Sequence, residues 1–272
     1  MSDYHLHITA VLGGYSEGEL LELQAVTNSL FFGKTPAADG EATLVQTGGY
    51  PGAGKSRLSY AIEQQHPDYV RVDVNDNCLL LIPSYEKSYF EDGPEEAYKK
   101  WRAGSIWISQ QALKRAIDEN YNLILVGTGT DPRTALMIKE AKAKGYSVEF
   151  NGLSAGLDVC QERSKPENRL SYLENASGVS FWLPDNHIVE KRPAFDKIAG
   201  KLMQVANRAF MYWNPSNDHE PVLAFRSRQT LSPNHHQLDI VNEDASAHIL
   251  EEAGLTPEQP IKTSVARHLG WA

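Results

Sequence analysis

Hydrophobic and polar positions change their spacing along the chain from helical to extended and back. Ser16 has Glu19 three positions later, as in a capping box, and apolar residues at helical spacing follow, which predicts a helix over 17–31. The stretch 33–41 is rich in Gly, Pro and Asp and is typical of a loop. We therefore expect an N-terminal helical extension over residues 1–40.

Short apolar runs and amphipathic stretches alternate after this extension. The runs predict strands, and the stretches between them predict helices. The strands are expected at 42–48, 69–74, 122–127 and 146–153, and the helices at 56–65, 94–119, 131–144 and 155–165. Strand–helix alternation with short links predicts an α/β fold with a mainly parallel sheet and helices on both faces.

The last third of the chain is less regular. A helix is predicted over about 186–210 and a strand over 221–227, and the tail from 229 is predicted as loops, including Asn234–Asp239, around a short helix at 245–254. We expect one main domain over 41–228 and a C-terminal extension, 229–272, that packs on it.

The turn after the first predicted strand reads GGYPGAGKS, residues 48–56. Between a strand and a helix, G-x-x-x-x-G-K-S is typical of a phosphate-binding loop (P-loop, Walker A), whose N–H groups and helix N-terminus face one anion. Lys55 is expected to reach the β- and γ-phosphates of a nucleotide, and Ser56 to offer its hydroxyl to Mg²⁺. The predicted nucleotide contacts are Gly49, Tyr50, Pro51, Gly52, Ala53, Gly54, Lys55, Ser56 and Arg57. Tyr50 and Pro51 are expected to be exposed by their position in the loop.

The class of nucleotide-binding protein depends on the accompanying residues. The D-x-x-G and N-K-x-D motifs of regulatory GTPases do not occur, which favours a kinase that uses ATP, although ATP and GTP are not distinguished directly. A kinase places a carboxylate near the end of the second strand, where Asp73 and Asp76 occur. Asp76 lies just past the strand end as a candidate general base, and Asp73 is a candidate partner of Mg²⁺. Arg163 and Arg169 are candidates for contacting the transferring phosphate.

Composition and charge limit the classes of partner and the cellular compartment that we expect. The formal net charge of −9 disfavours nucleic acid as a partner, since an acidic surface repels a phosphate backbone. Only Cys78 and Cys160 are present, which favours a reducing compartment over a disulfide scaffold. The N-terminal residues show neither the basic region nor the long apolar run of a secretory signal, and no apolar run approaches ~20 residues. We therefore expect a cytoplasmic protein with no membrane partner, although a protein exported by a dedicated machine would have the same pattern.

The order of these motifs resembles the zeta toxin family of P-loop kinases over roughly residues 44–210. The segments that carry the resemblance are GGYPGAGKS at 48–56, VNDN at 74–77, the strand–turn–helix segment 119–150, and the lid-like segment 167–187. The resemblance implies ATP and Mg²⁺ as cofactors, Asp76 as general base and Arg169 as the first lid arginine. Family members phosphorylate small molecules, such as the 3′-hydroxyl of UDP-N-acetylglucosamine or the adenosine ribose of NAD. Many are toxins controlled by a small antitoxin protein.

The acceptor side departs from the family pattern. Where the family usually has Glu-Gly-Thr-Gly-Arg, this chain has Val126 to Thr130, and Val126 has no hydrogen-bond acceptor on its side chain. The second lid arginine has no clear match, and Arg163 and Arg192 are candidates to replace it. Thr128, Thr130 and Asp131 are candidates for binding a hydroxyl-bearing acceptor.

Three functions remain open from the sequence. The first is a kinase that transfers phosphate from ATP to a hydroxyl of a nucleotide-sugar or nucleotide-like metabolite. The second is the same chemistry in a toxin controlled by a partner protein. The third is an ATP-binding module without transfer, while a kinase acting on nucleic-acid ends is disfavoured by the net charge.

Overall fold

Short runs rich in Leu, Val and Ile pair into one sheet in the computed structural model. It describes residues 13–38, 40–131, 133–165, 178–184, 187–216, 220–230, 236–258 and 260–271. Within these ranges the strands are β1 (Thr43–Gly48), β2 (Val70–Asp73), β3 (Leu123–Val126), β4 (Ser147–Ser154), β5 (Arg208–Trp213), β6 (Val222–Gln229) and β7 (His236–Ile240). The helices are α1 (Glu17–Ser29), α2 (Lys55–Gln65), α3 (Pro83–Glu91), α4 (Pro94–Asp118), α5 (Arg133–Ala143), α6 (Leu157–Ser164), α7 (His187–Val205), α8 (Glu243–Glu252) and α9 (Ile261–His268).

The strands lie in the order β2-β3-β1-β4-β5-β6-β7. The first five of these are parallel, and β6 and β7 extend the sheet in antiparallel fashion. The predicted α/β fold with a mainly parallel sheet is therefore confirmed. Because β1 lies between β3 and β4, the carboxyl end of β1 opens at the point where the strand order reverses, which is where open α/β sheets bind ligands.

Helices cover the sheet on two sides. Successive side chains of a strand point to opposite faces. Leu44 and Leu123 belong to the large core cluster, whereas their neighbours Val45 and Ile124 form a smaller cluster with Ile62 of α2. The alternating apolar residues of the central strands are thus buried on both faces.

The N-terminal helix begins where the capping box predicts. The Ser16 hydroxyl accepts a hydrogen bond from the backbone N–H of Glu19, and the Glu19 carboxylate accepts one from the N–H of Ser16. Just before the helix, the Tyr15 hydroxyl donates to the carbonyl of Lys100 at 2.6 Å and accepts from the N–H of Gly104 at 3.0 Å. These bonds fix the start of α1 against α4, which borders the site.

Two predictions for the last third of the chain are wrong. The helix expected to reach residue 210 ends at Val205, because Arg208–Trp213 pairs with β4 as a strand. Part of the loop expected at Asn234–Asp239 is β7, which pairs with β6. In both cases pairing with a neighbouring strand overrides the local pattern. Helices α3 and α9 were not predicted, and the domain boundaries stay a prediction.

Of the helices in the described ranges, none combines the length and the apolar character that crossing a membrane requires. Both cysteines are free and buried.

Candidate functional site

The predicted P-loop follows β1 as an irregular turn that only glycines fit. Gly49, Gly52 and Gly54 have positive φ angles of 137°, 80° and 102°. A Cβ on Gly49 would lie 2.5 Å from the carbonyl oxygen of Leu153, and a Cβ on Gly52 would lie 2.5 Å from that of Cys160. The loop therefore packs directly against the backbone of β4 and α6. Helix α2 begins at Lys55, so the N–H groups of its first turn lack intrahelical acceptors and are available to an anion.

Tyr50 is part of the support under this loop. The expectation that it is exposed is wrong: its side chain is fully buried. Its hydroxyl accepts a hydrogen bond from the N–H of Ala155 at 2.9 Å and lies 3.0 Å from the Ser154 hydroxyl, and burial raises the pKa of the Tyr50 phenol to about 12. Pro51 is also buried, although it borders the cavity described below. The nucleotide contact predicted for Tyr50 can then involve only its backbone.

Lys55 and Ser56 occupy the positions that the motif requires. The Lys55 ammonium donates to the carbonyl of Tyr50 at 3.0 Å, which holds its side chain over the loop. Desolvation lowers the pKa of Lys55 to about 8, although the nearby Asp73 acts in the opposite direction. The Ser56 hydroxyl donates to Oδ2 of Asp73 at 3.0 Å. A serine hydroxyl beside a carboxylate is an oxygen donor set of the kind that Mg²⁺ prefers, so these two residues fit the predicted metal site. Within the described residues no group of three or more His, Cys, Asp or Glu side chains forms a metal cluster of its own.

The two candidate carboxylates at the end of β2 have different environments. Asp73 faces the cavity, and its Oδ1 accepts hydrogen bonds from the N–H groups of Asn75 at 3.0 Å and Asp76 at 3.2 Å. Asp73 and Asp76 are equally buried, each 4% exposed, but the Oδ2 of Asp76 accepts two hydrogen bonds of 2.8 Å from the buried guanidinium of Arg71. Asp76 is not among the described residues that line the cavity. The structure therefore brings Asp73 together with Ser56 at the cavity and pairs Asp76 with Arg71.

Arg163 lies against the P-loop from α6. It donates to the carbonyl of Gly52 at 3.0 Å and to the side-chain oxygen of Asn214 at 3.3 Å. Asn214, which follows β5 and is 2% exposed, donates in turn to the carbonyl of Ala53 at 2.9 Å. Arg163 and Asn214 thus hold two carbonyl groups of the loop, those of Gly52 and Ala53.

The other candidate arginines are placed differently. Arg169 lies outside the described residues. Arg192 forms an ion pair with Glu252 and lies over the buried ring of Tyr50, 5.4 Å from its centroid, so it is placed behind the P-loop and not in the cavity. Arg57 borders the cavity and pairs with Glu220.

One cavity of about 830 Å³ joins the P-loop to the turn after β3. Thr128 and Asp131 line it, as does Val126 at the end of β3. Thr130 does not line it directly but has its hydroxyl 2.7 Å from that of Thr128. The N–H of Gly49 donates to the carbonyl of Thr128 at 3.0 Å, so the turn is bonded to the P-loop. Residues from both predicted sets, the nucleotide contacts and the acceptor contacts, therefore border one space.

Sequence reasoning missed several residues of this cavity. Tyr98 and Arg102 come from α4, His187 from the start of α7, and Asn214 from the end of β5. None of them belongs to a recognisable motif, and only the packing of the helices over the sheet brings them to the site. The pKa of His187 is lowered mainly by burial and further by the positive charges of Lys191, Arg102 and Lys55, so its imidazole is neutral near pH 7.

Comparison with known proteins supports the same fold. The family model described as Zeta toxin matches residues 30–165, which is half of the chain. No curated protein matches the sequence significantly.

Solved structures extend the likeness to more of the chain. A structure from the PezAT chromosomal toxin–antitoxin system of Streptococcus pneumoniae is 19% identical, with a TM-score of 0.55, and the match covers 76% of this chain and 81% of that one. The native AvrRxo1-ORF1:-ORF2 complex is 10% identical with a TM-score of 0.61, covering 96% and 86%. The AvrRxo1-ORF1:-ORF2 structure with ATP is 12% identical with a TM-score of 0.54, covering 88% and 71%. At these identities the likeness shows the fold, which is that of the P-loop kinases.

Proposed function

Because the chain belongs to the zeta toxin family, whose members are kinase-like phosphotransferases, we propose that it transfers the γ-phosphate of ATP to a hydroxyl of a nucleotide-sugar or nucleotide-like metabolite, and that it acts as a toxin. One observation carries this proposal: a single cavity is bordered by the P-loop, by Asp73 and by the turn at Thr128 and Asp131. A donor phosphate and an acceptor hydroxyl bound there would meet without leaving the cavity.

The P-loop supplies the donor half of the reaction. The N–H groups at the start of α2 and the Lys55 ammonium would bind the β- and γ-phosphates of ATP. Ser56 would hold Mg²⁺ directly, and Asp73 would hold it through a water molecule. When bound, the metal neutralises charge on the phosphate oxygens. Arg163 would contact the transferring phosphate from the Gly52 side, and the role of Arg169 on the same phosphate stays a prediction.

We assign proton removal to Asp73. The carboxylate of Asp73 faces the cavity, whereas that of Asp76 is held by Arg71 outside it. In transfer, the acceptor oxygen forms a bond to the γ-phosphorus as the bond from that phosphorus to the β–γ bridging oxygen breaks. ADP leaves, and the hydroxyl proton passes to the Asp73 carboxylate. The backbone N–H of Asp76 donates to Oδ1 of Asp73, and the Asp76 carboxylate holds Arg71, so its side chain would act on Asp73 only indirectly.

The test is mass spectrometry of a metabolite extract incubated with ATP·Mg²⁺ and the protein. We expect the wild type to produce a species about 80 Da heavier than an extract metabolite, since one phosphoryl group is added. Asp73→Asn should lower the rate by at least about a hundredfold, within the range for general-base removal. Asp76→Asn should reduce it less, and the surface variant Asp118→Asn should not change it.

Two results would contradict these assignments. If Asp76→Asn abolishes transfer while Asp73→Asn retains it, Asp76 is the general base, as the sequence predicts. If the wild type binds ATP but yields no heavier species, transfer itself is excluded for that metabolite pool. Thermal denaturation of each variant separates loss of chemistry from loss of fold.

A second candidate function is ATP binding without transfer. Val126 borders the cavity where the family usually has a glutamate, and Asp76 is engaged by Arg71. Both observations argue against a complete acceptor-binding and proton-removing site, and neither affects the P-loop. The same experiment separates the two functions, because a binding module would bind ATP·Mg²⁺ and give no product.

We also propose a protein partner of the antitoxin class. Support comes from the neighbouring structures, one of which belongs to a toxin–antitoxin system and another of which is a two-protein complex.

A further inference from the structure

The cavity is bordered by a cation that the proposed chemistry does not use. Arg102 of α4 borders the cavity together with Tyr98, Phe181 and His187. Arginine is charged at every physiological pH, and its planar fork of N–H donors matches the oxygens of a phosphate. A half-buried guanidinium at a ligand cavity therefore points to an anionic group on the ligand.

Two contacts hold Arg102 in place. One Nη donates to the side-chain oxygen of Asn75 at 2.7 Å, and the guanidinium lies over the ring of Tyr98, 5.5 Å from its centroid. Tyr98 in turn packs against Trp182, with ring centroids 5.9 Å apart. The orientation of the guanidinium is thus fixed by neutral partners, which leave its charge in place.

Within the described residues, no carboxylate forms an ion pair with Arg102. Arg57, which borders the same cavity, pairs with Glu220, and the buried Arg71 nearby pairs with Asp76 and Glu63. Arg102 has only an amide oxygen and a ring as partners among these residues. A cation that is positioned but not neutralised is what an anionic ligand would complete.

The place of Arg102 relative to the reaction centre follows from a chain of hydrogen bonds. Ser56 donates to Asp73, Asp73 accepts from the N–H of Asn75, and the Asn75 side chain accepts from Arg102. Arg102 is therefore linked through Asn75 to Asp73, the proposed base, and is not bonded to the P-loop itself. Tyr98 and Phe181 line the same cavity.

We propose that Arg102 determines acceptor specificity by binding a phosphate group of the acceptor, while Tyr98 and Phe181 provide an apolar wall for its planar ring. This inference rests on the proposed function, because it names the residue that would recognise the acceptor. It requires that an acceptor with a phosphate binds much better than the same molecule without one.

The test measures binding without transfer. The full chain is saturated with a non-hydrolysable ATP analogue and Mg²⁺ and titrated calorimetrically with the four common ribonucleoside 5′-monophosphates and with the four nucleosides. We expect at least one monophosphate to bind at least about tenfold more tightly than its nucleoside, since a charge-assisted bond to phosphate is gained. Arg102→Ala should remove this advantage, and Arg102→Lys should retain part of it. Arg115→Ala is the matched control on the same helix, since Arg115 pairs with Glu119 and lies over Phe31.

Several outcomes would overturn the proposal. These are no binding of any monophosphate, equal binding of monophosphate and nucleoside, or an advantage that survives in Arg102→Ala. A loss of affinity for the ATP analogue in Arg102→Ala, with the advantage intact, would assign Arg102 to the donor nucleotide. The wild-type comparison needs no variant, so it stands even if Arg102→Ala fails to fold. If a monophosphate binds more tightly than its nucleoside but no phosphorylated metabolite forms, the proposed phosphate transfer is contradicted and the proposed phosphate-binding role of Arg102 is supported.

Discussion

The charge of Lys55 depends on whether its counter-anion is bound. Desolvation lowers the pKa of Lys55 from 10.5 to about 8 in the nucleotide-free loop. Triphosphate placed beside the ammonium favours the charged form and raises this pKa again. ATP binding near pH 8 is therefore linked to protonation of Lys55.

We expect ATP·Mg²⁺ binding at pH 8 to take up about half a proton, and the affinity to fall as the pH rises above 8. Calorimetry in buffers of different ionisation enthalpy measures this uptake. Lys55→Arg is the control, because arginine stays charged and should bind without proton uptake. Equal uptake in both proteins would assign the proton to another group.

The lowered pKa of Lys55 also predicts how the free energy of unfolding changes with pH. A lysine whose pKa is lower in the folded than in the unfolded state lets the unfolded chain bind more protons between the two values. The contribution of Lys55 to the free energy of unfolding of the nucleotide-free protein should therefore rise as the pH increases from about 8 to 10.5. Bound ATP, which raises the pKa of Lys55 back toward 10.5, should weaken this trend.

At this scale the sequence predicts residues that belong to a motif and misses those that do not. Lys55 and Ser56 follow from the P-loop motif, and Asp73 follows from its place at the end of a predicted strand. In both cases the position in the sequence is enough to predict the position in the fold. Arg102 is 27 residues from its partner Asn75, so no local pattern connects them. The loop position of Tyr50 predicts an exposed side chain, whereas the contacts of its hydroxyl with Ser154 and Ala155 at the end of β4 are not visible in the sequence.

At the scale of elements, the P-loop depends on two elements that the motif does not include. The ends of β5 and α6 hold its carbonyl side through Asn214 and Arg163. The sequence pattern predicts a helix to about residue 210, into the first residues of β5, and no strand there, so the bonds from Asn214 have no place in the predicted site. Strand β5 is evident only from its pairing with β4, yet it is followed by Asn214, which holds the P-loop.

Removing this support should weaken nucleotide binding. Asn214→Ala loses the buried hydrogen bond to the carbonyl of Ala53 and leaves Arg163 without one of its acceptors. At about 1–1.5 kcal/mol for such a bond, we expect the dissociation constant of ATP·Mg²⁺ to rise about tenfold. Isothermal titration calorimetry measures the change directly.

Asn207→Ala is the matched control for this element. Asn207 precedes the same strand, and its side chain accepts a hydrogen bond from the N–H of Val148 at 2.9 Å, away from the cavity. Its loss should lower the melting temperature and leave ATP affinity unchanged. If both variants weaken ATP binding alike, Asn214 acts only through general stability.

At the scale of the whole molecule, the C-terminal part is built into the sheet and the helical layer. Strands β6 and β7 continue the sheet beyond β5, and α9 ends against α7. The Trp271 indole donates to the carbonyl of Gly200 at 3.2 Å, and Arg192 pairs with Glu252 at the end of α8. Arg192 also lies over Tyr50, so the C-terminal helices and the P-loop share a support.

Helices α7 and α9 are so close at Gly200 that adding one methyl group there, as in Gly200→Ala, tests their contact. A Cβ on Gly200 would lie 2.2 Å from the carbonyl oxygen of Leu269, a backbone atom that cannot move alone. Alanine is the better helix former by about 1 kcal/mol, so propensity alone predicts that Gly200→Ala stabilises the protein. We expect the opposite, a loss of about 1–3 kcal/mol from overpacking, seen as a melting temperature lower by several degrees.

Gly18→Ala separates packing from propensity. Gly18 is also helical, in α1, but it is exposed and a Cβ there would meet no atom within 4 Å. This variant should be neutral or more stable by up to about 1 kcal/mol. If Gly200→Ala behaves like Gly18→Ala in thermal denaturation, the C-terminal helix does not pack on α7 in solution as it does here. If Gly200→Ala melts at a lower temperature than Gly18→Ala in one transition, residues beyond 229 belong to the same cooperative unit as the nucleotide site.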